Sequence, residues 1–240
     1  MRTKITILAI VLTSILASMA VLLTFILVLG PWAGIAVGAG IAAVILLVYT
    51  YVVHPWHARW GATDEEVLRI MPGDELLPAA PSTTRAITIE APPEAIWPWL
   101  VQIGYGRAGW YSYDWIDNDG KPSADRIVPE LQSLEVGDQI LMVPGMGPRT
   151  RAIEENSYIL SRGDADSWCL ALYPADGATR LVSRWRAAWP KSPATYFWIA
   201  ISDPGAFIME RKMLKGIKRR AEALSSMGGA LSIGARPRLA

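Results

Sequence analysis

One acidic residue near the end of the chain stands where a carboxylate could do chemistry. A last helix is predicted to run from Pro204 to about Leu224, because its apolar residues recur at helical spacing. Glu210 falls at the centre of that apolar stripe at about 100° per residue. A buried carboxylate is costly unless it is paired. Glu210 is therefore either a ligand-binding or general acid/base group, or one half of a structural ion pair with an arginine on a strand.

Two arginines in a predicted strand are candidate partners for that carboxylate. Arg184 and Arg186 are two residues apart and so share one face of the strand. If this face points inward, the arginines suit Glu210 or an anionic ligand. If Trp185 points inward instead, the arginines are solvated, and the alternation of Trp185 with Leu181 favours this second orientation.

An aromatic cluster follows a glycine-punctuated loop in the middle of the chain. Residues 110–115 contain four aromatic side chains, and Tyr111, Tyr113 and Asp114 add hydroxyl groups and a carboxylate. These rings either line the mouth of a ligand site or cap the open end of the core. The candidate ligand-binding residues are Trp99, Trp110, Tyr111, Tyr113, Asp114, Trp115, Arg184, Arg186 and Glu210.

Other catalytic signatures are missing from the sequence. The two histidines, His54 and His57, have no acidic or thiol partner nearby in sequence, so we interpret them as anchoring residues and predict no metal site. The chain has no glycine-rich phosphate loop. Cys169 is the single cysteine, which excludes an internal disulfide, and it is expected in the core. We predict no cofactor, and an enzyme would depend on tyrosine, carboxylate or arginine.

The elements that position these residues can be predicted from pattern. The connector, residues 54–82, contains a short helix with the capping-box spacing of Thr63 and Glu66. The main domain, residues 83–225, begins with a strand at 84–90 and a helix opened by 91–94. Six short strands follow, separated by turn residues, at 138–143, 149–154, 157–161, 167–173, 179–189 and 194–202. Residues 226–240 are predicted to be a flexible tail.

The chain begins with a long apolar segment, in which only Arg2 and Lys4 are charged among the first 53 residues. A membrane-spanning helix needs about 20 residues, so residues 5–29 and 33–53 predict a transmembrane hairpin broken at Gly30-Pro31. A cleaved signal peptide is the competing interpretation, but the apolar run continues past the candidate cleavage site. The positive-inside rule then predicts that both ends lie in the cytoplasm. Small residues at four-residue spacing in the second span could support an oligomer.

The order of elements, with several local motifs, resembles the START-like helix-grip superfamily, also called SRPBCC or polyketide cyclase/dehydrase-like, and in particular its membrane-attached bacterial members. The resemblance covers roughly residues 59–224. The segments that carry it are 59–66, 83–87, 91–93, 97–102, 109–115, 125–130 and 136–138. It implies an α+β fold, in which a curved antiparallel sheet grips a long C-terminal helix with an apolar cavity between them.

These observations lead to three functional hypotheses. The first is a membrane-anchored domain of the bacterial plasma membrane that binds a hydrophobic small molecule, either a lipid or a polyketide-like compound. The second is an enzyme of cyclase/dehydrase or hydrolase type acting on such a ligand. The third is a structural or regulatory membrane module without a ligand, which a cavity filled by tryptophans would favour. Acidic and basic residues nearly balance, at 22 and 23, so no nucleic-acid partner is predicted.

Overall fold

The computed structural model describes residues 2–190 and 192–234. Two apolar helices open the chain, α1 at Arg2–Leu29 and α2 at Pro31–Val48. Gly30 joins them with a positive φ of 82°, a conformation that glycine adopts without steric cost. By length and composition, the apolar helical stretches Leu8–Leu29 and Pro31–Ala58 could each cross a membrane.

Two glycines of α2 pack directly against α1. A Cβ on Gly34 would lie 2.5 Å from the Cα of Ile26, and one on Gly38 would lie 2.7 Å from the side chain of Leu22. These contacts require that α1 and α2 run antiparallel as a hairpin, with close approach at the small residues. A Cβ on Gly40, on the same helix, would have no heavy atom within 4 Å.

The second apolar helix continues without a break into the polar part of the chain. It passes through one π-helical turn at Tyr49–Val53 into α3 at His54–Ala58. The short helix α4 follows at Asp64–Leu68 and begins with the predicted capping box. Thr63 Oγ1 accepts from the Glu66 N–H at 3.1 Å, and the Glu66 carboxylate accepts from the Thr63 N–H at 2.8 Å.

A five-stranded antiparallel sheet forms the centre of the polar part. Its strands are β1 Ser82–Ile89, β2 Arg149–Glu154, β3 Tyr158–Arg162, β4 Asp166–Ala175 and β5 Ala178–Ala187, arranged in the order β1-β5-β4-β3-β2. Between β1 and β2 lie α5 Pro93–Val101, α6 Asp114–Asp117 and a 3₁₀ turn at Pro129–Leu131. The last helix, α7, spans Pro193–Gly234 and packs on one face of the sheet. The predicted α+β helix-grip arrangement is confirmed.

Both faces of the sheet are covered. The inner face meets α5 and α7 in the main core, where Ile96, Leu181, Leu214 and Ile217 are buried. The outer face carries a smaller core in which Met71 of the connector contacts the sheet. Cys169 is buried in that second cluster. The part of the connector around Met71 is therefore a structural layer of the domain, and it lies on the face opposite to α7.

Two predicted strands are wrong. Residues 138–143 form a loop held by isolated bridges from Gln139 to Arg149 and from Val143 to Met146, because the Pro144-Gly145 turn folds the segment back on itself. Residues 194–202 are the first turns of α7, which begins at Pro193 rather than Pro204. Aromatic and branched residues in a short window are compatible with either state.

The predicted tail also differs in part. The helix α7 continues through residue 234, so residues 226–234 of that segment are helical. Residues 235–240 lie outside the described part of the chain.

Candidate functional site

Glu210 is held by two groups of the sheet. Arg85 of β1 donates to its Oε2, and the Ser183 hydroxyl of β5 donates to its Oε1 at 2.6 Å. Arg85 is only 3% exposed, so this is a buried ion pair. The structure therefore places Glu210 in a pair with an arginine on a strand, but the arginine is Arg85, on the neighbouring strand, and not Arg184 or Arg186.

A second polar cluster joins the helix that follows the apolar hairpin to α7. The Tyr49 hydroxyl donates to the Asp203 carboxylate at 2.6 Å and lies 3.1 Å from Nε2 of His57. His57 Nε2 and His54 Nε2 lie 3.4 Å and 3.7 Å from the same Asp203 oxygen. A carboxylate of α7 is thus surrounded by three side chains from one continuous helix.

His57 links this cluster to the Glu210 pair. Its ring is 1% exposed and stacks on Phe207 with centroids 4.9 Å apart. The Arg85 Nε donates to the His57 carbonyl at 2.9 Å, and an Arg85 terminal nitrogen lies 4.0 Å from Asp203. We call the set Tyr49, His57, Arg85, Asp203 and Glu210 the junction network. It ties the helical segment after α2, from Tyr49 to α3, to β1 and α7 where the apolar hairpin meets the domain.

The sequence did not predict the junction network. His54 and His57 were interpreted as anchoring residues because no acid lies near them in the chain, whereas Asp203 is 154 positions from Tyr49. The only signal in the sequence was Asp203, an acidic residue directly before Pro204 at the start of the predicted apolar stripe.

Arg184 and Arg186 point away from α7. The Asp74 carboxylate accepts from Arg184 Nη1 at 2.7 Å and from Arg186 Nε at 2.6 Å. Arg184 also donates to the Glu66 carbonyl at 2.6 Å. The arginines therefore lie on the outer face, as the inward orientation of Trp185 requires. They are not solvated, because the connector covers them.

Charge pairing on this outer face changes the pKa of Asp74. Burial alone would raise that pKa, but hydrogen bonds from Arg186 and the Met71 N–H, with the charges of Arg184 and Arg186, outweigh it. The net pKa of Asp74 lies below its ordinary value. Its ionised form therefore stabilises the folded connector at neutral pH.

The last helix runs along β1 across the inner face of the sheet. Lys218 donates to the Thr88 carbonyl at 2.8 Å, and Glu222 accepts from the Glu90 N–H at 2.8 Å. Together with the Arg85–Glu210 pair, these contacts fix α7 parallel to β1 over its central turns. The polar part thus has a helix-grip arrangement, in which the antiparallel sheet packs against the long C-terminal helix.

Tryptophan rings fill space between the sheet and α7 in the helix-grip domain. Trp110 and Trp168 lie 5.8 Å apart between ring centroids, and Trp168 and Trp185 lie 5.7 Å apart. Trp168 Nε1 donates to Ser183 at 2.8 Å. The region where the resemblance implies an apolar cavity is thus packed with side chains, and Trp110 belongs to that core.

An open cleft lies beside the C-terminal half of α7, at the edge of the helix-grip domain. Its volume is about 470 Å³. Its lining residues combine apolar and charged groups: Trp99, Asp125, Arg126, Ile127, Arg219, Arg220, Ala223 and Leu224. Of the predicted ligand-binding residues, Trp99 borders this cleft, and its ring contacts the buried Tyr111 ring with centroids 5.9 Å apart and an edge-to-face angle of 81°.

Arg220 connects the cleft to the tyrosine behind it. Its guanidinium carbon lies 4.5 Å from the centroid of the Tyr111 ring, and its Nε donates to the Ala124 carbonyl at 2.8 Å. The Tyr111 hydroxyl donates to the Trp99 carbonyl at 3.1 Å. Burial raises the pKa of Tyr111 to about 12, so this hydroxyl is a neutral structural donor.

The remaining aromatic candidates lie around α6 and away from Glu210. Lys212 sits 3.7 Å above the Tyr113 ring, and the Asp114 carboxylate accepts from the Ser123 N–H at 3.0 Å. Trp115 is exposed and borders a second cleft, of about 260 Å³, together with Ile5 and Thr6 of α1. The nine predicted residues therefore occupy five separate places: the cleft, the core, the junction network, the outer face of the sheet and the surface around α6.

One buried carboxylate near α6 was not predicted. Asp117 is buried, and neither of its carboxylate oxygens has a hydrogen-bond partner within the described residues. Burial, with the charge of Asp114, raises the pKa of Asp117 to about 6. Within residues 2–190 and 192–234, no group of three or more histidine, cysteine or acidic side chains is arranged to hold a metal ion.

No family model and no curated protein matches the chain. Several solved structures do. A protein from Staphylococcus saprophyticus is 12% identical, with a TM-score of 0.38 over 67% of this chain and 98% of its own. A Polyketide_cyc-like protein from Corynebacterium glutamicum is 16% identical, with a TM-score of 0.28 over 68% of this chain and 100% of its own. The Aha1 dimer from Colwellia psychrerythraea is 14% identical, with a TM-score of 0.31 over 55% and 93%. At TM-scores of 0.38 or lower these likenesses carry no argument about the ligand or activity of this chain.

Proposed function

We propose that this chain is a membrane-anchored START-like domain that binds an amphipathic ligand with an acidic head group. The binding site is the cleft lined by Trp99, Arg126, Arg219 and Arg220. The observation that carries the proposal is the combination of apolar and cationic side chains in one open cleft of about 470 Å³. A cleft of that size falls in the usual range for small-molecule sites.

The chemistry of the cleft supports this class of ligand. Ile127, Ala223 and Leu224 offer apolar surface for a hydrocarbon or ring system, and the buried Trp99 also borders the cleft. Arg126 and Arg219 are exposed at the rim, where guanidinium groups can bind a carboxylate or phosphate through paired hydrogen bonds. Asp125 is the single acidic residue of the lining, so the cleft has a net positive charge.

Membrane anchoring is supported by the hairpin and by where its ends lie. The helix α2 leads into the junction network, while Ile5 and Thr6 near the start of α1 contact the surface around Trp115. Both ends of the hairpin thus contact the helix-grip domain. Arg2 and Lys4 directly precede these contacts in the sequence, so the positive-inside rule favours the cytoplasmic face of the plasma membrane.

A binding experiment on the full chain in detergent tests the proposal. We expect a fluorescent long-chain fatty acid to bind, and the matching fatty alcohol to bind at least about tenfold more weakly because it lacks the acidic group. The double variant Arg126→Glu/Arg219→Glu should weaken binding of the acid by about tenfold or more. Arg151→Glu, an exposed arginine on β2, is the matched control and should leave binding unchanged.

The packed interior favours a second candidate function, a structural membrane module without a ligand. Trp110, Trp168 and Trp185 occupy space that a deep ligand would need. If neither the acid nor the alcohol binds, and protein purified from membranes releases no lipid on extraction, this second function replaces the first. No described contact favours an enzyme, since Arg85 and Ser183 already engage Glu210.

A further inference from the structure

The first turns of α7 extend beyond the sheet. Arg85 of β1 is level with Glu210, and Thr88 is level with Lys218, so α7 and β1 run in the same direction. Asp203 then lies near the level at which β1 begins. Residues 193–202 precede it, and ten helical residues at 1.5 Å each reach about 15 Å further.

This extension points toward the apolar hairpin. Phe207 packs against Trp56 and His57, whereas Asp203, one turn earlier, contacts His57 and also Tyr49, which lies about two turns before His57. The N-terminal direction along α7 is therefore the same as the N-terminal direction along α3 and the π-helical turn, which leads to α2. Residues 193–202 lie still further along this path, at the level where the hairpin becomes wholly apolar.

The composition of the extension suits lipid rather than water. Residues 192–202 contain no acidic or basic side chain, and they include Tyr196, Phe197 and Trp198 within one turn. Trp198 is 54% exposed. Aromatic side chains of this kind are enriched where a membrane meets water. A helix satisfies its own backbone hydrogen bonds there.

We propose that residues 193–202 of α7 lie in the interface of the same bilayer that holds the hairpin. This segment is a third membrane contact, one that enters the lipid without crossing it, and it holds the helix-grip domain against the surface. The inference rests on the proposed membrane anchoring. It adds that α7 is one continuous helix from the lipid interface to the cleft at Arg219 and Arg220.

Spin labels on the full chain in phosphatidylethanolamine/phosphatidylglycerol vesicles test this placement. Trp198→Cys reports on the extension, Leu16→Cys on the hairpin, and Val136→Cys on an exposed part of the domain. Cys169 needs no replacement, because it is buried and burial raises the pKa of its thiol to about 12, which leaves it unreactive. All three labelled positions are exposed, so the substitutions should not disturb packing.

For each label we measure the ratio of its collision rate with dissolved oxygen to its collision rate with a water-soluble nickel chelate. This ratio should be about threefold higher for Trp198→Cys than for Val136→Cys. The inference is overturned if the two labels are equally accessible to nickel while Leu16→Cys stays protected. It is also overturned if the Trp198→Cys label is shielded from both reagents, because a protein surface would then cover the segment. If Leu16→Cys is itself open to nickel, the membrane anchoring fails, and this inference fails with it.

Discussion

Tyr49 and Asp203 are joined by a hydrogen bond of 2.6 Å, although they lie 154 positions apart in the chain. One belongs to the helix that leaves the apolar hairpin, and the other belongs to the helix that packs across the sheet. The same carboxylate lies within 4.0 Å of Arg85, which in turn holds Glu210. The hairpin is thus attached to the centre of the helix-grip domain by polar contacts as well as by the connecting chain.

Removing the Tyr49 hydroxyl should weaken this attachment. In Tyr49→Phe, Asp203 loses a donor in a partly buried site, and we expect the free energy of unfolding of the domain to fall by about 1 kcal/mol. Tyr51→Phe is the matched control, since Tyr51 is exposed, and it should change stability by less than about 0.5 kcal/mol. Denaturant unfolding in detergent, followed by tryptophan fluorescence, measures both. Equal effects of the two variants would argue against the Tyr49 contact.

Glu210 should prove to be a stability residue rather than a ligand-binding one. In Glu210→Gln, buried Arg85 loses its nearest countercharge, and we expect a loss of about 2–3 kcal/mol in unfolding free energy, since Asp203 stays close by. Binding of the fatty-acid probe to the folded variant should be unchanged. Glu154→Gln, exposed on β2, is the control.

The paired substitution separates the two roles of Glu210 further. Arg85→Met/Glu210→Leu removes both charges and should recover part of the lost stability, because no guanidinium is left buried without its nearest countercharge and Asp203 keeps the hydrogen bond from Tyr49. A Glu210→Gln protein that is fully stable but no longer binds the probe would contradict the structural role.

We expect the packing of the connector on the outer face of the sheet to weaken at acidic pH. Because the pKa of Asp74 is lowered in the folded state, its contribution is present above the unfolded pKa of about 4 and is lost as pH falls through the folded pKa. Asp74→Asn should therefore cost about 3 kcal/mol at pH 7, since it leaves Arg184 and Arg186 unpaired, and less at pH 2. Asp64→Asn, on an exposed pair with Arg59, should cost under about 1 kcal/mol at either pH. Unfolding curves at the two pH values measure this.

Asp117 should change the free energy of unfolding with pH in the opposite direction to Asp74. Its pKa is raised to about 6 in the folded state, so its ionisation destabilises the domain as pH rises from about 4 to 6. Asp117→Asn should increase the free energy of unfolding by about 2 kcal/mol at pH 7 and have little effect at pH 4. Asp176→Asn, in the exposed β4–β5 turn, serves as the control. A stability loss in Asp117→Asn at pH 7 would show that the carboxylate is satisfied after all.

Gly34 and Gly40 of α2 provide a matched pair of substitutions that tests the packing of α1 against α2. Gly34→Ile places side-chain atoms against the backbone of Ile26 and should separate α1 from α2, whereas Gly40→Ile meets open space. Spin labels at Leu16→Cys and Val44→Cys should lose their mutual dipolar broadening only in the Gly34→Ile background. If small residues also join copies of the chain, Gly40→Ile should lower the oligomeric mass without changing that broadening.

Local features of the fold could be predicted from the sequence. The capping box of Thr63 and Glu66 and the alternating strand that became β1 depend on residues within a few positions of each other. Residues 194–202 were assigned wrongly because a short aromatic and branched segment satisfies both helix and strand patterns. The cleft could not be predicted, since Trp99, Arg126 and Arg219 come from three distant parts of the chain.

The sequence by itself determined the apolar hairpin, the α+β domain behind it and the placement of Glu210 on the apolar stripe of a helix, because periodicity and hydrophobicity are local properties. Only the tertiary structure decided that Arg85 pairs with Glu210, that Arg184 faces the connector and that tryptophans fill the interior. Those outcomes depend on which strands become neighbours and which face each turns toward α7. The Arg85–Glu210 pair spans 125 positions, and no local pattern records a contact at that separation.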